Sequence, residues 1–152
     1  MCGIIGAIAG RNITDILVEG LKRLEYRGYD SAGVALLDQQ GGIRRQRVTG
    51  RVKNLQKMLR QNPAVAGQIG IAHTRWATHG EPSEKNAHPH MCNDVVALVH
   101  NGIIENHEAL REQQEKEDYR FTSNTDTEVI VHQIHRNLLA SGDLFKAMQQ
   151  TV

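Results

Sequence analysis

A cysteine stands directly behind the initiator methionine and is followed by glycine, in the opening MCGIIGAIAG. A free thiol has a pKa near ~8.5 and attacks as thiolate, so a nucleophilic cysteine needs a base. Removal of Met1 would supply one. Cys2 then carries its own α-amine, with a pKa of ~7.7–8.0, placed to take the thiol proton directly or through one water. Gly3 is expected to let the backbone bend closely around a substrate. The plainer alternative is an inert Cys2, since free cysteine commonly serves as a small buried hydrophobe.

Three other stretches carry groups that suit the same chemistry. HTRWATHG, from His73 to Gly80, follows an apolar run and so falls at a strand end, where sites are commonly built. Arg75 can grip a carboxylate with two parallel hydrogen bonds. Trp76, the only tryptophan of the chain, suits a lid that excludes water, and Thr78 and His79 add polar groups on the same loop. A surface loop with its Trp tucked into the core fits the same letters. In VHNGIIEN, the Asn101 side-chain amide and the Gly102 N–H can converge on one oxygen. Such an oxyanion hole is worth ~2.7–4 kcal/mol per donor, although Asn-Gly is also an ordinary tight-turn pair. TDTE places Asp126 at a helix start, where it needs no function or accepts hydrogen bonds from an ammonium. Arg75 for a carboxylate and Asp126 for an ammonium together describe a free α-amino acid.

A rival constellation lies between these stretches. NAHPHMC offers His88, His90 and Cys92, with His73, His79 and His100 nearby. Alternate residues of an extended strand share a face, so His-x-His-x-Cys has the spacing of a zinc site. Pro89 disturbs a regular strand, and no paired-cysteine or His-Glu helix motif accompanies it, so no metal is expected.

The elements that must position these groups are legible from periodicity. GIIGAIA reads as a buried strand. Asn12 caps a helix, with Asp15 three residues on, whose Ile13, Ile16, Leu17, Leu21 and Leu24 fall at helical spacing and which Gly28 should end. SAGVALLD and GGIRRQRVTG read as strands, and Val52, Leu55 and Leu59 mark a helix stopped by Asn62-Pro63. GQIGIAHT and DVVALVH read as central strands, NHEALREQQEKED as a charged helix and YRFTS as a short strand. Thr125 and Glu128 have capping-box spacing for a helix buried through Val129, Ile130, Ile134 and Leu138, and a last helix starts at Asp143. Strands in succession with helices between them predict an α+β fold of largely antiparallel sheets, with helices packed outside.

Composition narrows the class. With 152 residues the chain suits one domain. Its 18 basic and 17 acidic side chains give no electrostatic reason for a nucleic-acid or anionic-membrane partner. No apolar run is long enough for a membrane helix or reads as a signal peptide. Two cysteines make no disulfide scaffold, so a cytoplasmic, reduced protein is expected.

The motifs Cys2-Gly3, LEYRGYDSAG, IAHTRWATHGEPSEKNAHPH, LVHNGIIENHEALR and TDTEVI, in this order, resemble the glutaminase domain of the class II, N-terminal-nucleophile glutamine amidotransferases. The wording is most similar to the members that deliver the amide nitrogen to fructose 6-phosphate, and the likeness runs from Cys2 to about Leu139. The resemblance implies a four-layer αββα sandwich with two stacked antiparallel sheets. It also implies hydrolysis of L-glutamine by Cys2 after loss of Met1, with the oxyanion held by Asn101 and Gly102. Arg75 matches the glutamine-carboxylate ligand, Asp126 the α-amine ligand, Thr78 and His79 glutamine-loop contacts, and Trp76 the lid. Arg27 and His88 match recurrent motif positions, for which a structural or supporting role is expected. No cofactor is implied.

The family's glutaminase domain is longer than this chain, and a sugar-phosphate isomerase region follows it. Residues 1–152 are therefore expected to be an incomplete glutaminase domain, truncated at the C-terminus, with closing strands missing and a marginal, aggregation-prone fold. Fructose 6-phosphate would meet only the absent region, through which the longer enzyme would also form its homodimer. A non-catalytic glutamine-binding module and a zinc-binding module are the remaining alternatives.

Overall fold

Four of the apolar runs pair into one antiparallel sheet. They are β1 (Gly3–Ile8), β2 (Ser31–Leu37), β3 (Ile43–Thr49) and β4 (Ile69–Arg75), in the order β1-β4-β2-β3. The structure is a computed structural model that describes residues 2–77 and 80–151. β2 is buried along almost its whole length because it lies inside the sheet. β1 was expected to be buried too, but it lies at an edge and alternates, with Ile4 45% and Ile8 76% exposed.

One face of the sheet is covered by α1 (Thr14–Arg23) and α2 (Val52–Gln61). Ile13, Leu17, Leu21, Val52, Leu55 and Leu59 pack there against Val34, Leu36 and Ala72. Burying such side chains contributes roughly 1.5–3 kcal/mol each, enough to hold helices that would be marginal alone. Asn12 was expected to cap α1, but Ile13 is the N-cap, its carbonyl taking the first helical bond from the Leu17 N–H; Asn12 stands one residue earlier, where its Oδ1 accepts from the Thr14 N–H (3.1 Å) and hydroxyl (2.7 Å). Gly28 does not end this helix. The ladder tightens to i→i−3 bonds after Arg23, a 3₁₀ turn follows over Glu25–Arg27, and Gly28 closes that turn at φ 72°.

The other face of the sheet looks onto a second layer. There β5 (His90–Cys92) pairs antiparallel with β6 (Val96–Leu98), followed by α3 (His107–Lys116), α4 (Glu128–Ser141) and α5 (Leu144–Gln149). Cys92, Val96, Val131, Ile134 and Ala147 form its core. The order helix, sheet, sheet, helix agrees with the α+β expectation and with the αββα sandwich. Between Leu37, Ile69 and Ile71 on one side and Val96, Leu98 and Leu138 on the other runs an apolar groove of about 490 Å³.

Three expectations fail in this layer. DVVALVH supplies only the three-residue β6 in a two-stranded sheet, not a central strand. YRFTS is not a strand, because its backbone donors go elsewhere: the N–H groups of Thr122 and Ser123 donate to the Glu128 carboxylate at 2.9 and 2.7 Å. For the same reason the Thr125–Glu128 capping box does not form. Thr125 turns its hydroxyl to His90 Nε2 (2.9 Å) and to Ser123 Oγ (2.9 Å) instead. At the far end, the last helix starts at Asp143 as expected, and that residue caps α5 by accepting from the Lys146 N–H at 3.1 Å.

Candidate active site

Sheet register explains why the N-terminus meets the loop after β4. Gly3 lies opposite Thr74, and Ser31 opposite Arg75, so Cys2, Asp30 and Trp76 all emerge at one end of the sheet. The Trp76 backbone N–H donates to Cys2 Sγ at 3.4 Å. Gly3 donates its N–H to Thr74 Oγ1 at 3.1 Å. Packing also disfavours a side chain there: a Cβ would stand 2.8 Å from both Leu24 Cδ1 and Thr74 Oγ1.

A cleft of about 220 Å³ opens beside the thiol. Cys2, Arg75, Trp76, Asn101, Gly102 and Asp126 line it, with His73, His88, His100, Thr125 and Thr127 also in its wall. The two sheets and α4 thus bring together groups far apart in the described chain, Cys2 and Asp126 among them. Trp76 stands at the cleft, 52% exposed, and is not tucked into the core. Arg75 is buried and donates from Nη2 to the Gly80 carbonyl at 3.0 Å. Burial lowers its pKa, opposed by Asp30, Cys2 and Asp126, and the group remains a cation at neutral pH. Asp126 sits before the first turn of α4, and its Oδ2 accepts from the Ile104 N–H at 2.8 Å.

Other expected residues fall differently. His88 is buried in the cleft wall, whereas Arg27 is exposed in the 3₁₀ turn and does not line the cleft. Thr78 and His79 lie outside the described residues. Cys92 belongs to the second core, where burial, aided by Glu128, pushes its thiol up to about 12 and leaves it unreactive. Among the described residues no three His, Cys, Asp or Glu side chains converge on a metal position. His73 is pushed down to about 4 and His90 to about 3, chiefly by burial, so both rings are neutral at pH 7.

Two contributors escape a reading of the motifs. Asp30 receives the Ala77 N–H on Oδ2 and donates its own N–H to the Arg75 carbonyl at 2.8 Å, tying down the loop that carries Trp76. The Trp76 N–H is a backbone group, so no side-chain pattern could announce it. The assembled site holds a thiol with a nearby N–H donor, a cation and an anion at separate positions, and an Asn-Gly pair that offers further donors. That set suits nucleophilic attack on an acyl carbon of a small zwitterion.

Comparison with known proteins places the chain in a family. The family description "Glutamine amidotransferase domain" matches residues 57–138. The glutamine–fructose-6-phosphate aminotransferase (isomerizing) of Pseudomonas aeruginosa is 62% identical over 152 residues, covering 100% of this chain and 25% of that protein. The protein of the same name from Legionella pneumophila strain Lens is 56% identical over 151 residues, covering 99% of this chain and 25% of its own length. The chain therefore spans about a quarter of the length of these relatives. Among solved structures, the B. subtilis glutamine phosphoribosylpyrophosphate amidotransferase complexed with ADP and GMP superposes with a TM-score of 0.71 at 26% identity, over 99% of this chain and 31% of that one. A structure described as the allosteric regulatory enzyme of purine biosynthesis gives 0.72 at 28% identity, over 99% and 32%. Among the described residues no helix is long and apolar enough to cross a membrane.

Proposed function

Because this chain belongs to the glutamine amidotransferase domain family, we propose that it hydrolyses L-glutamine to glutamate and ammonia with Cys2 as nucleophile. The observation that carries this reading is the meeting of Cys2, Arg75, Asp126, Asn101 and Gly102 in one cleft. Arg75 takes the α-carboxylate and Asp126 the α-ammonium, which leaves the side-chain amide to reach the thiol.

The chemistry then follows from the groups present. Met1 is removed, and the Cys2 α-amine accepts the thiol proton. The thiolate attacks the amide carbon, a C–S bond forms, and the carbonyl electrons move onto oxygen. The Asn101 amide and the Gly102 N–H hold that oxyanion. As it collapses the C–N bond breaks, and the nitrogen leaves as ammonia with the proton held on the α-ammonium. Water attacks the γ-glutamyl thioester, the C–S bond breaks, and glutamate departs. Trp76 at the cleft mouth restricts water, and no cofactor enters any step. The family resemblance alone assigns Thr78 and His79 to glutamine binding.

The relatives' names support a further step. In a longer protein the ammonia would pass to fructose 6-phosphate and yield D-glucosamine 6-phosphate, on a region beyond this domain and within a cytoplasmic homodimer. Residues 1–152 supply the glutaminase half.

The test is intact mass after reaction with diazo-oxo-norleucine, a glutamine-like electrophile, on wild type and Cys2→Ala. One adduct on the chain lacking Met1, absent from Cys2→Ala, is expected. Absence of an adduct on a chain that has lost Met1 would overturn the reading.

A further inference from the structure

The Asn101-Gly102 pair is exposed on a loop, yet an oxyanion hole acts only if its donors are held still. The loop is pinned at both flanks. After the pair, the Ile104 N–H donates to Asp126. Before it, the N–H of His100 donates to Nδ1 of His88 at 3.3 Å. The His100 ring continues the tie: its Nδ1 is 3.2 Å from Thr127 Oγ1, and a Cβ built on Gly102 would meet its Nε2 at 2.8 Å. Whatever holds the His100 backbone therefore also sets where Gly102 rests.

His88 is built as a rigid post. Its ring stacks on His73 at 4.3 Å and meets His90 edge-on at 4.6 Å. Its backbone is clamped to the large sheet from both sides, with Arg47 donating to the Ala87 carbonyl (3.0 Å) and Arg45 to the Pro89 carbonyl (3.3 Å). The His88 carbonyl lies so close over β2 that a Cβ on Gly33 would stand 2.2 Å from it. Nδ1 accepts a hydrogen bond only while it carries no proton. Burial among His73, His90, Arg75 and His100 holds the ring neutral.

We propose that His88 is a positioning residue, which accepts the His100 N–H on Nδ1 and thereby fixes the loop that presents Asn101 and Gly102 to the oxyanion. This rests on the glutaminase reading above. His88 touches neither substrate nor the reacting atoms in this role. It separates two tasks: Arg75 and Asp126 select glutamine, while His88 sets the geometry of attack.

The experiment compares wild type, His88→Phe and His88→Asn in the chain lacking Met1. Phe keeps a flat ring for the His73 stack but offers no acceptor, whereas the Asn carbonyl oxygen can stand where Nδ1 was. Glutamine hydrolysis gives kcat and KM. Alkylation of Cys2 by iodoacetamide, which displaces iodide and forms no oxyanion, reports on the thiol alone. In His88→Phe we expect kcat to fall about ten- to hundredfold, less than the ~10²–10³ of a deleted donor, with KM and the alkylation rate within about twofold of wild type. His88→Asn should recover most of kcat. If wild type turns glutamine over and His88→Phe equals it, or if KM rises with kcat unchanged, the positioning role is overturned alone. If wild type shows no turnover, the glutaminase reading fails and takes this inference with it. Should His88→Phe lose Cys2 alkylation through misfolding, His88→Asn decides: near-wild-type kcat supports the role, and a tenfold loss overturns it.

Discussion

At the scale of single residues, two cysteines in one small chain have opposite environments. Cys2 is partly exposed, with a backbone N–H at its sulfur, whereas Cys92 is buried and its thiol is pushed up to about 12. Iodoacetamide at pH 8 should therefore label the native chain once, at Cys2, and twice only after denaturation; peptide mass mapping checks this. Asn101→Ala removes one donor from the proposed oxyanion hole, and kcat for glutamine hydrolysis should fall about 10²–10³-fold with little change in KM. Asp126→Asn should show the reverse emphasis, a raised KM, although Asp126 also holds the Ile104 N–H and some loss of kcat is expected.

At the scale of elements, α4 is the hinge between fold and site. Glu128 in its first turn is buried and accepts from the backbone N–H and the hydroxyl of both Thr122 and Ser123, at 2.6–2.9 Å. Burial alone would raise its pKa, but these four hydrogen bonds outweigh it and the carboxyl stays below its ordinary range. The carboxylate thus replaces the strand pairing that residues 119–123 lack, and it fixes the chain just before Asp126. Glu128→Gln should destabilise the chain by about 1.5–3 kcal/mol, the range for charge-assisted bonds, measured as a lower denaturant midpoint. The close passage of His88 over β2 is equally unforgiving, so Gly33→Ala should cost at least ~1–3 kcal/mol through overpacking, read as a lower Tm.

At the scale of the whole molecule, buried neutral histidines make stability depend on pH. His73 is lowered to about 4 and His90 to about 3, both by burial, and His88 moves the same way. Below pH ~6.5 the unfolded chain takes up protons that the folded chain refuses. Their contribution is complete above that pH and is lost as pH falls toward 4, at about 1.4 kcal/mol per pH unit for each histidine. Urea midpoints should fall steadily from pH 6.5 to 4.5, and His90→Gln should flatten the slope. The apolar groove between the sheets belongs to this scale too. With Ile69, Val95, Leu144 and Met148 each at least 44% exposed along it, the chain should self-associate with concentration on sizing. A monomeric profile with a cooperative melt would contradict that.

What the sequence determined alone was local. The helices and the four strands of the large sheet followed from period, because each depends on neighbours a few positions away. The chemistry-bearing types in Cys2, Arg75, Asn101, Gly102 and Asp126 were legible because each side chain announces what it can bind. Tertiary structure decided the rest. Only the sheet register sets the Trp76 N–H against Cys2, only the packing of residues 87–89 on β2 sets His88 beneath His100, and only the buried Glu128 draws Thr122 and Ser123 away from a strand. Those contacts all begin at backbone amides, and the first two reach partners 74 and 12 positions away. A backbone amide has the same letterless chemistry at every non-proline position, so its partner is chosen by the fold and not by the motif.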